Sequence, residues 1–366
     1  MPRIPYVNIA AHWASERAEL LPLIEEVLAS GQYIGGSAVE AFEISAATLC
    51  ETKHCIALNS GTDALVLGLV AMGVGKGDEV ITPPNSFIAS TAAITHVGAI
   101  PIFVDVLEDQ NIDPQLIEAA ITTRTKAIMP VHLTGRMARM DKIKKIAERH
   151  NIPIIEDAAQ AVGSRYKNIP SGKWGKLGCF STHPLKNLNA CGDGGFLVTD
   201  DDDIALKVRL MRNHGLVNRN IATQFGFVSR MDAVQAVILN YRIAKLDEVT
   251  SKRRENAFLY RALLNCNRVL VPVDHESEFN TYHTFVIQAQ DRDGLRDHLT
   301  RAGVETSIHY PVPIHLQPAA RFLGHVEGDF PNTESQAKRI LTLPVNQFVT
   351  REHILTISTL VNQYYA

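Results

Sequence analysis

The chain has 366 residues and a mass of 40.3 kDa, which is enough for two domains. Hydrophobic residues make up 46% of the sequence and charged residues 20%, a globular composition that excludes an intrinsically disordered protein. The formal net charge of −3 lacks the basic excess typical of proteins that bind nucleic acids or anionic membranes.

Neither the cysteines nor the apolar segments indicate a metal site or a membrane. The five cysteines lack the paired spacing of a zinc or redox site, so we expect reduced thiols, no metal and a cytoplasmic protein. The longest stretch without a charged side chain, residues 82–104, contains Pro83, Pro84 and Pro101, which favours buried strands and helices over a membrane span. The start of the chain has no apolar region typical of a signal peptide.

The first part of the chain predicts an α/β fold. Two helices, at about 15–29 and 37–49, precede short apolar strands that alternate with helices. Strands that are apolar throughout and alternate with helices are typical of a mostly parallel sheet with helices on both faces. The predicted strands are 54–58, 79–82, 100–104, 126–131 and 152–155, and the predicted helices are 61–72, 87–95 and 139–150.

The pattern changes after about residue 215. A long helix at 231–247 leads into a basic helical stretch and then into strands whose residues alternate inward and outward, which predicts a smaller α+β domain. We therefore predict a large cofactor-binding domain at 1–245 and a small C-terminal domain at 246–366. The elements predicted for the small domain are strands at 268–272, 281–288 and 305–310 and helices at 294–302 and 352–364.

Polar residues at the ends of the predicted strands are the candidate site, because ligands of open α/β sheets bind beyond the carboxyl ends of the strands. Residues 59–63 begin a helix after a strand, where free amides and the hydroxyl of Thr62 suit a phosphate, although an ordinary capped turn also fits. The sequence has no GxGxxG after a strand and no GxxxxGK[ST] motif. This argues against a nucleoside triphosphate site and against an NAD oxidoreductase.

Three further residues at strand ends could contact a flat, charged ligand. Asp157 follows an apolar strand and could face a cation or a protonated ring nitrogen, or it could cap a helix. Phe87 could lie against a planar ligand or belong to the core. Lys186 lies in a glycine-flanked loop five positions after Ser181. A hydroxyl nearby in the sequence and the Asp157 carboxylate at a neighbouring strand end distinguish it from an ordinary surface lysine.

Together these residues fit a pyridine ring that carries an aldehyde and a phosphate. Lys186 would form a Schiff base with the aldehyde, and Asp157 would hold the ring nitrogen protonated, so that the ring accepts the electrons of a carbanion. The remaining contacts are Gln160 to the ring hydroxyl, Phe87 and Ala159 on the two faces of the ring, and Gly61, Thr62 and Ser181 to the phosphate.

Five motifs in this order resemble the DegT/DnrJ/EryC/StrS family of sugar aminotransferases over residues 1–366. The resemblance implies the type I aspartate aminotransferase fold, pyridoxal 5'-phosphate as cofactor, and a homodimer with its active sites at the interface. It also implies that Lys186 binds the cofactor covalently and that Asp157, Gln160 and Ser181 are its ligands. The dehydrating members have histidine in place of this lysine, so Lys186 favours amino transfer. The motifs are Ser60-Gly61-Thr62-Asp63-Ala64-Leu65, whose Asp63 we include among the cofactor-binding residues, Glu156-Asp157-Ala158-Ala159-Gln160, Phe180-Ser181-Thr182-His183-Pro184-Leu185-Lys186-Asn187-Leu188, Gly192-Asp193-Gly194-Gly195 and Arg212-Asn213-His214-Gly215.

The segments on the substrate side resemble the family less specifically. The sequence Ile308-His309-Tyr310-Pro311 is similar to members that aminate position 3 of a keto sugar. His309, Tyr310 and His315 in this segment are candidates for sugar contacts, with domain packing as the alternative. Tyr33 is a further candidate, because Gln32-Tyr33-Ile34-Gly35-Gly36 resembles a family segment that borders the substrate. One position departs from the family. Members commonly have asparagine in a Gly-x-Asn-x-Arg segment, where it reaches the cofactor phosphate of the other subunit, and here Val228 stands in its place.

The resemblance implies transfer of an amino group from an amino acid, glutamate by family analogy, to a keto sugar in polysaccharide or lipopolysaccharide biosynthesis or in glycoside biosynthesis. A nucleotide-linked 3-keto sugar fits best. The open alternatives are a sugar without a nucleotide, such as an oxidised eight-carbon acid sugar, a cyclitol, or a non-catalytic regulator that binds pyridoxal phosphate. The intact set of Lys186, Asp157, Gln160 and Ser181 argues against the regulator.

Overall fold

The computed structural model describes residues 3–265 and 267–366, so Cys266 lies outside the described residues. The helices are α1 (Ile9–Ser30), α2 (Ser37–Leu49), α3 (Gly61–Ala71), α4 (Ile88–His96), α5 (Pro114–Ile117), α6 (Met140–His150), α7 (Asp202–Met211), α8 (Ala233–Ile243), α9 (Leu246–Leu263), α10 (Arg292–Arg301), α11 (Pro331–Arg339) and α12 (Arg351–Tyr365). The strands are β1 (His54–Leu58), β2 (Glu79–Thr82), β3 (Ile100–Phe103), β4 (Thr125–Ile128), β5 (Ile155–Asp157), β6 (Arg165–Tyr166), β7 (Ile169–Pro170), β8 (Leu177–Ser181), β9 (Gly195–Thr199), β10 (Leu216–Asn218), β11 (Ile221–Ala222), β12 (Val269–Leu270), β13 (Glu278–Phe279), β14 (Phe285–Ala289) and β15 (Ile340–Leu343).

A mostly parallel central sheet organises the first two thirds of the chain, as predicted. The four-stranded sheet β1-β9-β8-β5 is joined to the parallel sheet β3-β2-β4 by parallel bridges between Ile128 and Ile154 and between Val131 and Asp157. Within this sheet β9 runs antiparallel to both of its neighbours, β1 and β8. The carboxyl ends of β1, β5 and β8 therefore meet at one edge, which brings the motifs at residues 59–63, 157–160 and 181–186 together.

Helices cover both faces of the sheet because both faces of its strands are apolar. In β9, Leu197 packs in one core cluster with side chains of α3, α4 and α7, and its neighbours Phe196 and Val198 pack in a second cluster with α2 and α8. The rings of Phe180 and Phe196 stack with centroids 4.6 Å apart in this second cluster. Side chains of one strand alternate between two faces, so a strand apolar at every position is stable when both faces are covered.

The C-terminal part has its own small sheet and core. Strands β12, β14 and β15 form an antiparallel sheet, and its core cluster contains Tyr260 of α9, Phe285 of β14 and Ile357 of α12. The predicted boundary after residue 245 falls at the break between α8 and α9, while the division into two domains stays a prediction. No helix within the described residues combines the length and the hydropathy needed to cross a bilayer.

Two predicted elements of this part differ from the structure. The helix predicted at 231–247 ends earlier, as α8 at Ile243, and the basic helical stretch predicted after it is α9, which begins at Leu246. The strand predicted at 305–310 is wrong, because in this segment only Ser307 forms a bridge, to Thr342, and His309 and Tyr310 instead turn into a cavity wall. Pro311 and Pro313, which come one and three residues after Tyr310, have no backbone N–H to donate to a neighbouring strand, so the segment cannot continue as a strand.

Candidate functional site

A cavity of about 370 Å³ lies at the sheet edge where the motifs meet. We call the lining residues from strand ends and helix starts of the large sheet the first wall, and those from the N-terminal segment and the C-terminal part of the chain the second wall. The residues of the first wall that the sequence predicted are Gly61, Thr62, Phe87, Asp157, Ala159, Gln160, Ser181 and Lys186.

The start of α3 offers unpaired backbone donors to the cavity. Ser60 caps this helix, because its Oγ accepts a hydrogen bond from the amide of Asp63 at 3.1 Å. The amides of Gly61 and Thr62 find no acceptor within the described residues. A helix start with two free N–H groups attracts an anion such as a phosphate. Asp63 itself lies outside the cavity lining, so the structure gives its side chain no contact there.

Gly61 is required for the close packing of this helix start. A Cβ atom at residue 61 would lie 2.7 Å from Cβ of Ser181 and 3.0 Å from its Cα, closer than side chains pack. The absence of a side chain therefore lets the end of β8 approach the amides of α3, and the Ser181 hydroxyl lines the cavity beside them.

Asp157 ends β5 as a buried carboxylate in a defined orientation. It is only 3% exposed, and its Oδ2 accepts a hydrogen bond from Oγ of Ser90 at 2.6 Å. Its Oδ1 accepts another from the amide of Ala159 at 3.1 Å. Burial raises the pKa of Asp157, while the two hydrogen bonds and the charge of Lys186 act in the opposite sense. A cationic partner such as a protonated ring nitrogen would stabilise this carboxylate.

Lys186 supplies an amine that is easily deprotonated. It lies in the loop after β8, where a hydrogen bond of 2.8 Å from its own amide to the carbonyl of His183 closes a turn. Burial disfavours the charged form and lowers the pKa of Lys186 to about 8, although the carboxylate of Asp157 opposes this shift. An amine of this pKa is partly neutral near pH 7 and can attack an aldehyde.

The cavity beside Lys186 and Asp157 is lined by short and aromatic side chains, which leave room for a flat ring. Ala159 and Phe87 both line the cavity, and the Phe87 ring lies 5.6 Å from the ring of Tyr310, centroid to centroid. Gln160 accepts a hydrogen bond from the amide of Thr134 at 2.8 Å, which fixes its Oε1 and leaves its Nε2 directed toward the hydroxyl of Tyr310 at 3.4 Å. The Gln160 side chain is thus oriented with donor hydrogens on the cavity side.

The second wall contains residues that the sequence analysis did not predict. The polar ones are Tyr6, Arg253, His283 and Asn346, which join the predicted His309 and Tyr310. His309 is held by Thr342 Oγ1 at 2.9 Å, and burial together with the charge of Lys186 lowers its pKa to about 4, so the ring is neutral. No motif marks these residues, because each comes from a different element. Asn346 alone follows a strand end, β15, and strand ends were the signal used for the other wall.

Two candidates for sugar contacts lie away from this cavity. His315 is buried and its Nε2 pairs with Oε1 of Glu334 at 3.0 Å within the C-terminal part. Tyr33 is 53% exposed and its hydroxyl donates to the carbonyl of Leu28. Val228 is likewise exposed and lies outside the cavity lining, where it forms a bridge with Asn213.

The donors and acceptors of the cavity fit pyridoxal phosphate. Free amides suit its phosphate, an oriented carboxylate suits its ring nitrogen, an amide side chain suits its ring hydroxyl, and a deprotonable amine suits its aldehyde. The described residues contain no group of three or more side chains arranged to hold a metal ion.

Comparisons with known proteins agree with this arrangement. The sequence matches the DegT/DnrJ/EryC1/StrS aminotransferase family over residues 14–362. It is 41% identical over 351 residues to the erythromycin biosynthesis sensory transduction protein EryC1 of Saccharopolyspora erythraea, which covers 95% of this chain and 96% of that protein. It is 40% identical over 365 residues to the dTDP-3-amino-3,4,6-trideoxy-alpha-D-glucose transaminase of Streptomyces venezuelae, at 99% and 96% coverage.

The fold agrees as well. The crystal structure of S. venezuelae DesV in complex with a ketimine intermediate superimposes with a TM-score of 0.98 at 40% identity, and the match covers 100% of this chain and 99% of that one. The similarity therefore extends over both walls of the cavity.

Proposed function

This chain belongs to the DegT/DnrJ/EryC1/StrS aminotransferase family, and on that premise we propose that it transfers an amino group from L-glutamate to a nucleotide-linked 3-keto sugar. It is a pyridoxal phosphate-dependent aminotransferase. The observation that carries this function is one cavity that holds the deprotonable amine of Lys186, the buried carboxylate of Asp157 and the free amides of α3.

Each of these groups has a defined part in amino transfer. Bound pyridoxal phosphate supplies an aldehyde that takes up the amino group and a ring that accepts an electron pair. The amides of Gly61 and Thr62 and the hydroxyl of Ser181 would hold its phosphate, and Asp157, fixed by Ser90, would keep its ring nitrogen protonated. Lys186 Nζ, when it is not bonded to the aldehyde, takes the proton from the α-carbon of the donor. In the half-reaction with the sugar it gives a proton to the sugar carbon that receives the amino group.

A keto sugar as acceptor is supported by the similarity to a dTDP-amino-sugar transaminase and by the polar side chains of the second wall. His309 is neutral and therefore able to hydrogen-bond a sugar hydroxyl without placing a charge there. We propose that the aminated sugar enters a cell-surface polysaccharide, such as lipopolysaccharide, or a glycoside. We place the reaction in the cytoplasm, in keeping with the free thiols of Cys50, Cys55, Cys179 and Cys191.

The test is amino transfer itself. The purified holoenzyme is incubated with [15N]glutamate and a panel of nucleotide-linked 3-keto and 4-keto sugars, sugars without a nucleotide, and keto cyclitols. We expect release of 2-oxoglutarate and 15N in the sugar product with a nucleotide-linked 3-keto sugar. If transfer occurs only to an eight-carbon acid sugar or a cyclitol, that compound becomes the acceptor instead of the nucleotide-linked 3-keto sugar. A lack of transfer to every acceptor would favour a regulator that only binds the cofactor.

We further propose a homodimer with its active sites at the interface. Support comes from a segment of exposed apolar side chains around the β10–β11 hairpin, in which Phe225 is fully exposed and Ile221 and Val228 are 54% exposed. Such contiguous apolar surface is typical of a protein interface. Sedimentation equilibrium of the holoenzyme tests it. A dimer that Phe225→Asp shifts toward monomer is expected, and a fully active wild-type monomer would contradict it.

A further inference from the structure

Arg253 is unlike the other buried arginines of the described residues, since it has no acidic partner. Arg136 pairs with Glu278 at 2.7 Å, and Arg242 pairs with Glu16 at 2.8 Å. Arg292 pairs with Asp293 at 2.9 Å. Arg253 is 6% exposed and forms no ion pair with any described carboxylate.

The guanidinium of Arg253 is nevertheless held in one orientation. Its Nη1 donates to the carbonyls of Tyr282 and His283, at 3.1 Å each, and its Nε has no partner among the described residues. A buried cation whose only partners are neutral carbonyls is costly, because water no longer solvates it and no anion compensates its charge. Burial accordingly lowers the pKa of Arg253 to about 10. An anionic ligand would remove this cost.

The position of Arg253 relates it to the reacting amine. Arg253 and Lys186 line the same cavity of about 370 Å³, and both also line an adjoining void of about 20 Å³. Both also lower the pKa of His283, so both act on it electrostatically. The predicted phosphate contacts are Gly61, Thr62 and Ser181, so the guanidinium of Arg253 is left without an anion of its own.

We propose that Arg253 binds the α-carboxylate of the amino donor. This inference rests on the proposed aminotransferase function. The α-carboxylate of an amino acid is attached directly to the carbon from which Lys186 takes the proton, so it must lie close to Lys186 whatever the side chain of the donor. The carbonyl carbon of a keto sugar carries no charged group, and a guanidinium prefers the two oxygens of a carboxylate.

The experiment compares L-glutamate with L-isoglutamine, which has an uncharged α-carboxamide and keeps the distal carboxylate. The single-turnover reaction of the holoenzyme with each donor is followed by the visible absorbance of the cofactor. For the wild type we expect a half-saturating concentration about 100-fold lower for glutamate than for isoglutamine. In Arg253→Gln the value for glutamate should rise about 100-fold, with little change for isoglutamine, and Arg253→Lys should recover part of the difference.

A binding measurement and a matched variant separate recognition from damage to the fold. α-Methyl-L-glutamate has no α-proton and cannot complete the reaction, so a spectral titration gives its dissociation constant, which we expect Arg253→Gln to raise to a similar extent. Arg254→Gln is the control, because Arg254 donates to the carbonyl of Asn280 and does not line the cavity. Amination of the keto sugar by enzyme loaded with pyridoxamine phosphate should change less than about 3-fold in Arg253→Gln.

The outcomes distinguish this inference from the proposed function. Equal half-saturating concentrations of glutamate and isoglutamine for the wild-type enzyme would overturn the role of Arg253, even if no Arg253 variant folds. Loss of only the sugar half of the reaction in Arg253→Gln also overturns it and assigns the guanidinium to the acceptor. A wild-type holoenzyme that reacts with no amino acid contradicts the aminotransferase function itself.

Discussion

The two walls of the cavity enclose the same space, yet the chain supplies them differently. Most of the first wall comes from three short segments, 60–62, 157–160 and 181–186, each of which directly follows or ends a strand of the central sheet, and Phe87, Ala89 and Ser90 add to it after β2. The second wall takes single residues from distant elements, such as Tyr6 before α1, Arg253 within α9 and Asn346 after β15. We therefore expect the amino-transfer chemistry to depend on the first wall and the choice of donor and acceptor to depend on the second.

The largest expected effect tests the first wall at Lys186. Lys186→Ala removes the amine that attacks the aldehyde and moves the proton, so turnover should fall by about 10⁴-fold or more. The measurement is release of 2-oxoglutarate, with Lys176→Ala as a control, because Lys176 is half-exposed and pairs with Asp201 outside the cavity. A Lys186→Ala enzyme with the wild-type rate would falsify the assignment.

Asp157→Asn should have the next largest effect. An amide cannot stabilise a protonated ring nitrogen, so removal of the α-proton should slow by about 10²- to 10³-fold. Exchange of the α-proton of glutamate with deuterium from the solvent, followed by NMR, measures this step directly. Ser90→Ala, which removes only the hydrogen bond of 2.6 Å to Oδ2, should cost about 10-fold. Unchanged exchange in Asp157→Asn would show that another group protonates the ring.

A pH dependence of intermediate size follows from the amine of Lys186. Covalent capture of pyridoxal phosphate by the apoprotein requires neutral Lys186, whose pKa is about 8 instead of 10.5. The capture rate should therefore rise from pH 6 to pH 9 with a midpoint near 8. The carboxylate of Asp157 favours the protonated amine, so the midpoint should move lower in Asp157→Asn. Stopped-flow absorbance gives both profiles, and a wild-type midpoint above pH 10 would contradict the burial of this amine.

The smallest effect is expected on the second wall at Tyr310. Tyr310→Phe removes a long hydrogen bond of 3.4 Å to Gln160, so the half-saturating concentration of the keto sugar should rise less than about 5-fold. The rate with glutamate should stay unchanged. Tyr33→Phe is the matched control, because that hydroxyl is exposed and lies outside the cavity. A larger effect on glutamate than on the sugar would contradict the assignment of Tyr310 to the acceptor.

Most of the first wall was predictable because the order of the elements determines it. Apolar strands that alternate with helices predicted a parallel sheet, and the carboxyl ends of parallel strands share one edge. At that edge lie Gly61, Asp157, Ser181 and Lys186, which line one cavity. The helix predicted at 231–247 was wrong in where it ends, because α8 stops at Ile243 and residues 246–247 already belong to α9.

The residues themselves determined which strands form, which ends carry polar groups and which chemistry those groups support, since hydrophobic periodicity and side-chain type act locally. Only the tertiary structure decided that Ser90 orients Asp157, that Arg253 has no acidic partner and that His315 turns away to Glu334. These facts depend on contacts between segments far apart in the chain, and no local pattern specifies which distant side chain a buried charge will meet.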